Sequence, residues 1–275
     1  MVESWSPLTL AEALEIKRSQ QGVLPYAGGT DYMVTRKEAP SFLFLNRIPE
    51  LKEVFLAEEG LFIGSLATYT QLINEPLVPE FLKAALKGVA APAIRNMGTL
   101  GGNICNASPA GDSLPVLYVL DAILVLASLR EDGKLEKRHV PIEEFILGVR
   151  KTALLPAELL TGILLPSADL THTYYEKVGA RRAQAISKLS FAGAARVEKG
   201  EIKNFRAAFG SVGPRVVRDR AIEKLALNKP FDSDALAEAY SGILHPIDDQ
   251  RSTAVYRKTV CLNLLKDFLD TLTKK

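Results

Sequence analysis

Apolar positions along this chain change their spacing several times, and each change marks an element. Thr9-Leu10-Ala11-Glu12 reads as a capping box opening a helix that carries Leu10, Ala13, Leu14 and Ile16 inward and stops near Gly22. Val23 to Ala27 and the continuous run Phe42-Leu43-Phe44-Leu45 carry strand signals, with a turn over Ile48 to Leu51. This alternation predicts a small α/β lobe ending near residue 55.

The next segment has a different texture. Val54-Phe55-Leu56 and Leu61-Phe62-Ile63-Gly64 flank Glu58-Glu59-Gly60, which predicts a hairpin, and Thr68-Tyr69-Thr70-Gln71 reads as a second capping box. Pro79 to Lys87 predicts a helix ended by Gly88, Leu114 to Leu120 another, and Ala122 to Ala127 a strand closed by Glu131-Asp132-Gly133. Leu159 to Leu165 predicts the strand that completes this lobe, with a boundary at Pro166 to Leu170. Beyond it, Thr171 to Val178 predicts a strand, and Phe191 to Val197 pairs across Glu198-Lys199-Gly200 with Ile202 to Phe209 as an antiparallel hairpin. Two helices follow, and Val255, Leu262, Leu265, Leu269 and Leu272 fall near one face of a C-terminal helix expected to pack on that sheet. The expected division is 1–55, 56–166 and 167–275.

Composition narrows the function classes. With 275 residues, 47% of them hydrophobic, the chain can bury a sizeable core in two or three lobes. Lys and Arg number 34 against 32 Asp and Glu, a net charge of +2, so charge gives no argument for nucleic acid or a membrane surface. Cys105 and Cys261 match no metal spacing, and His139, His172 and His245 form no metal-binding motif, so no protein-bound metal is expected. Glu3, Pro7 and Glu12 interrupt any signal-peptide run, and no apolar stretch nears 18 residues. The expectation is a cytoplasmic protein without a membrane span.

Two stretches stand apart from this pattern. Asn96 to Asp112 (NMGTLGGNICNASPAGD) holds four glycines with Thr, Asn and Ser and a single charge. Ala27-Gly28-Gly29-Thr30-Asp31 repeats that character after the apolar run Val23 to Tyr26. Glycine lets another molecule press against bare backbone, so both stretches describe surfaces of N–H and O–H donors suited to an anionic, polyhydroxylated ligand. Gly98-Thr99-Leu100-Gly101-Gly102 lacks the G-x-G-x-x-G spacing and no G-K-[ST] follows either doublet, which disfavours the dinucleotide and P-loop fingerprints. By itself, Gly28 to Asp31 also fits a tight turn with Thr30 or Asp31 capping a helix and no ligand.

Taken together, in order and at their spacing, Ala27 to Asp31, Ile94 to Ile104 and Ala107 to Asp112 resemble the FAD-binding medium subunit of the molybdenum hydroxylases, the xanthine and carbon monoxide dehydrogenase family. The resemblance runs along nearly the whole chain. It implies an α+β protein with the PCMH-type FAD-binding fold, in which two α/β subdomains clasp FAD, plus a C-terminal antiparallel sheet with helices. Its partners would be a molybdenum-cofactor large subunit and an iron–sulfur small subunit carrying 2Fe-2S clusters, and the heterotrimer could form a homodimer.

The resemblance also assigns roles. Ala27, Gly28, Gly29 and Thr30 would face the FAD pyrophosphate, with Asp31 capping or orienting the loop. Thr99, Gly102, Asn103, Asn106 and Ser108 would line the flavin nucleotide, and Asp112 would take hydroxyls of the ribityl or ribose. Lys177 matches a lysine beside the isoalloxazine, where a cation stabilises charge on the reduced flavin, and Leu160 lies in a segment whose backbone nears the flavin. Cys105 reads as packing. No residue here would act on the oxidised substrate. Some relatives insert a four-cysteine iron–sulfur loop, and this chain has none. Two rivals remain open at this stage: a free-standing flavin oxidase or reductase, and a non-catalytic nucleotide-binding or assembly module with the same fold.

Overall fold

Thr9 starts the first helix, Leu10–Ser19, by accepting the Glu12 N–H on its hydroxyl. The Glu12 carboxylate reaches back to the N–H of Leu8, so two orphan donors are satisfied as a capping box requires, one residue earlier than the usual reciprocal bond. Ala13 and Leu14 are fully buried by this helix. The computed structural model describes residues 3–35, 41–181, 184–227 and 232–273. These fall into two compact units, Met1–Val78 with Ala91–Ala107 and Asp121–Ser167, and Pro79–Ala90 with Ser108–Leu120 and Ala168–Lys275.

In the first unit, β1 (Glu3–Trp5), β2 (Leu24–Tyr26) and β3 (Ser41–Phe44) form a parallel sheet in the order β1-β3-β2. Leu43 on the central strand is fully buried and meets Ala13, Leu14, Val23 and Ile48 in the core. The edge strand β1 is polar and short, which is why the hydrophobic pattern does not disclose it.

A second sheet of that unit takes β4 (Val54–Ala57), β5 (Gly60–Gly64), β6 (Ile123–Leu129), β7 (Leu135–Pro141) and β10 (Leu159–Pro166), in the order β4-β5-β10-β6-β7. The last strand in sequence lies at the centre, and Leu159 to Leu165 are all buried, as a central strand demands. The β4–β5 hairpin and the Thr68 cap, which accepts the Gln71 N–H, form as predicted. Gln71 itself donates to the Lys52 carbonyl instead of returning to the cap. Between these strands, β8 (Ile146–Gly148) and β9 (Lys151–Thr152) make a separate small hairpin.

The second unit is built on β11 (His172–Val178), β12 (Leu189–Glu198) and β13 (Glu201–Gly210), an antiparallel sheet in sequence order. Lys199 and Gly200 close the β12–β13 hairpin with φ of 50° and 77°, the left-handed pair that a two-residue turn needs. Gly193 on β12 permits close approach by the Ala254–Thr273 helix, since a Cβ there would sit 2.5 Å from the Phe268 ring. The other face of β12 and β13 receives the Leu114–Val119 helix, with Pro115 against Gly210. The two intervening helices, Arg220–Leu225 and Ser233–Ile243, are capped by Asp219 and Asp232.

One sequence expectation fails on the C-terminal helix. Leu265, Leu269 and Leu272 are buried and Leu262 is half-buried, but Val255 is 76% exposed. The inward stripe is centred on Cys261, Leu265, Phe268 and Leu272, and at ~100° per residue Val255 lies roughly 120° round the helix from Cys261. That helix is anchored by Arg257, 4% exposed, which donates to the Asp249 carboxylate at 2.6 Å and to the Ser211 carbonyl at 3.2 Å.

The Arg257 guanidinium and the N–H groups of Arg251 and Ser252 hold the Asp249 carboxyl down at about 2, below its ordinary 3.8. Because the folded value is depressed, the stabilisation is complete above about pH 4 and is lost as pH falls towards 2. Asp249→Asn is therefore expected to lower stability near neutral pH and to leave it close to the parent near pH 2. Denaturant unfolding across that range checks the convergence, and parallel curves would disprove it.

Candidate functional site

The two glycine segments meet within the first unit. An atom placed as Cβ on Gly28 would lie 1.8 Å from the Met97 carbonyl oxygen, so the main chain of the first loop rests directly on the second segment. Gly29 has φ of +68°, and a Cβ there would lie 1.9 Å from the Tyr26 hydroxyl. Beside the loop, Tyr26, Tyr32 and Phe42 pack edge-on with one another and Tyr26 meets Phe44 at a tilt, ring centroids 5.1 to 5.9 Å apart. Ala27 is half-buried against the core of the parallel sheet, so it supports the loop from below.

What this loop offers is main-chain donors. Among the described residues no acceptor takes the N–H of Gly28, Gly29 or Thr30, while the Gly29 carbonyl already accepts from Met33 at 2.9 Å. Successive backbone N–H groups with no acceptor among the described residues are the donors that a phosphate can take. Asp31 turns the other way: its carbonyl accepts the N–H groups of Val34 and Thr35, which opens the Tyr32–Thr35 helix.

The second segment is less open than its composition suggests. Leu100–Asn106 is a helix, and Thr99, 6% exposed, caps it by accepting the Gly102 N–H on its hydroxyl at 3.0 Å. The N–H groups of Leu100 and Gly101 go to the carbonyls of Ala67 and Ser65, and that of Asn103 to Thr99. The donors of its first turn are thus satisfied internally, which corrects the expectation of a free donor surface along this stretch. Two of its glycines serve packing: a Cβ on Gly101 would meet Ser65 at 2.6 Å, and one on Gly98 the Tyr69 ring at 2.9 Å. Gly102 differs, being exposed, with only the Thr99 hydroxyl within 4 Å of its Cβ direction. Asn103 and Asn106 are half-buried on the same helix, and Ala107 ends it in the left-handed region at φ 46°.

Sequence reasoning missed Arg150, at the tip of the β8–β9 hairpin. Its guanidinium donates to the Asp31 carboxylate at 2.9 Å and to the side-chain oxygen of Asn106, and its N–H donates to the Ala107 carbonyl at 3.0 Å. Its φ of 54° is the one local oddity that marks it, and that is not legible without coordinates. Leu160 is 5% exposed on β10, paired with Leu126 beside a register shift at Gly162, so its side chain belongs to the core.

Ser108, Asp112 and Lys177 belong to the second unit, and there Asp112 and Lys177 come together. The Lys177 ammonium donates to the Asp112 carboxylate at 2.6 Å and to the Gly88 carbonyl at 2.8 Å, and both side chains are 10% exposed. Ser187 donates to the other Asp112 oxygen, and Tyr175 donates to the Asp112 carbonyl at 3.1 Å. Burial pushes the Asp112 carboxyl above its ordinary value, against the opposing pull of Lys177 and Ser187. Burial likewise raises the Tyr175 phenol well above its own, with the Asp112 charge adding to it. Asp112 is thus a hydrogen-bonded partner of Lys177 and Ser187, which the sequence reading of it as a hydroxyl acceptor did not foresee. Ser108 closes a local turn, its hydroxyl accepting the Ala110 N–H at 3.3 Å. Among the described residues no group of His, Cys, Asp and Glu could hold a metal ion, and no helix is long and apolar enough to cross a membrane.

A family model described as the FAD-binding domain in molybdopterin dehydrogenase matches residues 1–168, and the CO dehydrogenase flavoprotein C-terminal domain matches 174–272. This chain belongs to that FAD-binding family. The xanthine dehydrogenase FAD-binding subunit of Escherichia coli O157:H7 is 31% identical, with 97% of this chain and 91% of that protein covered. The glyceraldehyde dehydrogenase medium chain of Sulfolobus acidocaldarius is 30% identical over 92% and 91%. Among solved structures, carbon monoxide dehydrogenase from Hydrogenophaga pseudoflava, in a form that lacks the Mo-pyranopterin moiety, aligns with a TM-score of 0.89 at 27% identity, covering 98% of this chain and 96% of that one. FAD is accordingly the cofactor of this member, an oxidoreductase subunit by family, and the expected mixed α and β fold stands.

The buried pair gives a test within this flavoprotein. Lys177→Met leaves Asp112 buried without its cation, and removing one partner of such a pair costs about 3 kcal/mol. Its carboxyl is then raised further above the unfolded value, so the penalty is smallest at low pH and grows as pH rises. Unfolding of the apoprotein at pH 5 and pH 8 is expected to show the larger loss at pH 8, and an equal loss would mean that Asp112 does not depend on Lys177.

Proposed function

We propose that this chain is the FAD-carrying electron-transfer subunit of a molybdenum-containing hydroxylase or dehydrogenase complex. Electrons from substrate oxidation at a molybdenum cofactor in a large partner subunit cross 2Fe-2S clusters in a small one and leave through FAD to an external acceptor. Family membership supports this reading, as do relatives that are FAD-binding or medium subunits of dehydrogenases. The lobes 1–55 and 56–166 hold the cofactor in this proposal, and 167–275 forms the C-terminal domain.

The observation that carries the placement of FAD is the loop of open donors at Gly28 to Thr30, resting on Met97. Its N–H groups fit a pyrophosphate, and they are supplied by backbone, which suits a chain whose net charge is only +2. The Thr99-capped helix next to Met97 leaves Gly102 bare on its exposed side, where a nucleotide can lie against backbone. Bound FAD supplies the redox chemistry, and the residues of the chain supply position and electrostatics. Within the second unit, Asp112 holds the Lys177 ammonium in place.

Gly102 gives the cleaner test of this placement. At Gly29 any side chain collides with Tyr26, whereas at Gly102 the one neighbouring atom is the Thr99 cap hydroxyl, 2.8 Å from a Cβ. Gly102→Val is expected to strip FAD, read as loss of flavin absorbance and of FAD released on denaturation, while circular dichroism of the apoprotein stays that of the parent. Full flavin occupancy in that variant would remove the helix from the site. A parent protein that is colourless and cannot be loaded with FAD would instead favour a non-catalytic module.

A further inference from the structure

Arg150 touches both segments assigned to FAD and belongs to neither. Its guanidinium spans from the Asp31 carboxylate, at the end of the first loop, to the Asn106 side chain, in the last turn of the Leu100–Asn106 helix. Its own N–H binds the Ala107 carbonyl, the residue that ends the helix. Three contacts from one residue thus link two stretches more than seventy positions apart in sequence.

The backbone at Arg150 makes the side chain more telling. At φ of 54° it occupies the left-handed region, where glycine carries no penalty and arginine does. A strained residue persists where its surroundings over-determine it, and such residues concentrate at functional sites. Turn geometry alone would be better served by glycine, so the guanidinium is what the position keeps. Both side-chain bonds leave the one Nη1 nitrogen, so its two hydrogens tie the carboxylate and the amide oxygen to a single point.

We propose that Arg150 is a positioning residue for FAD, holding the Gly28 to Asp31 loop at a fixed spacing from the Leu100–Asn106 helix. The inference rests on the reading that these two segments hold the cofactor. Arg150 acts through Asp31 and Asn106, and it sets how long FAD stays bound. Asp31 is, in consequence, the loop's anchor point and not a ligand to the phosphates, with which its charge would conflict.

The test uses the full chain loaded with FAD and two readouts, the rate of FAD release followed by recovery of flavin fluorescence, and the thermal midpoint of the apoprotein. The variants are Arg150→Gly, Arg150→Lys, Asp31→Asn and the double variant, with Gly102→Val as the control for the site itself. Arg150→Gly relieves the backbone strain, so its apoprotein midpoint is expected at or above the parent value while FAD leaves roughly fivefold faster, the scale for partly exposed charged contacts. Asp31→Asn is expected to speed release by a similar factor, and the double variant by no more than either alone, because both remove one clasp. Arg150→Lys is expected to fall between parent and Arg150→Gly.

Unchanged release in Arg150→Gly together with FAD loss in Gly102→Val would overturn the clasp and leave the cofactor site standing. Multiplying effects in the double variant, or a fall in apoprotein midpoint that tracks the faster release, would overturn it too. Retention of FAD in Gly102→Val would remove the site reading and the clasp with it. Should Arg150→Gly not fold, Asp31→Asn carries the same comparison with Arg150 in place.

Discussion

The bare contact of Gly28 with the Met97 carbonyl is the constraint on which the rest of the first unit depends. A single methyl group at that point would overlap the oxygen, so the loop after β2 and the turn before the Leu100–Asn106 helix share one surface only because both are stripped to backbone. Tyr69 completes the arrangement: its N–H donates to the Gly98 carbonyl and its ring covers the Cα of Gly98, so the turn cannot lift away. The parallel sheet delivers Gly28, and the antiparallel sheet delivers Ser65 and Ala67, which take the helix's first N–H groups. Two sheets of different construction are locked in register by residues that have almost no side chain.

Much of this was legible from sequence because it is local. The Thr9 and Thr68 caps, the helix before Gly88, the Leu159–Pro166 strand and the β12–β13 hairpin follow from propensity, capping and turn chemistry within a few residues of themselves. The glycine segments could be read as a pair because their spacing matched a known family. What stayed hidden depends on long-range partners. Arg150 is one arginine among the 34 basic residues until a hairpin tip brings it to Asp31, and Asp112 looks like a free acceptor until Lys177 arrives from 65 positions away. Val255 was misassigned for a simpler reason, since a seven-residue repeat drifts round a 3.6-residue helix.

The two glycine segments also divide their labour in a way that composition conceals. Both are rich in potential donors, yet the second spends its first-turn N–H groups on Thr99, Ser65 and Ala67, while among the described residues nothing accepts those of Gly28, Gly29 and Thr30 in the first. A helix start held by its own cap and by two neighbouring carbonyls is rigid before any ligand comes, which lowers the ordering cost of binding. The open loop beside it can then supply hydrogen bonds without having to build the surface they come from. Rigid support and free donors are separate requirements, and the chain meets them with separate residues.

The Asp112–Lys177 pair shows the same separation in its electrostatics. An ammonium 2.6 Å from a carboxylate, with both groups nearly out of solvent, acts beyond its neighbours as a dipole whose field falls off faster than that of a lone charge. Two of the ammonium hydrogens are engaged by Asp112 and Gly88, which leaves one uncommitted among the described residues. A lysine in that state tunes a group it touches by donating a directed hydrogen bond and has little reach over one further off. The direction of that bond is set by the orientation that Asp112, itself held by Ser187, imposes on the ammonium.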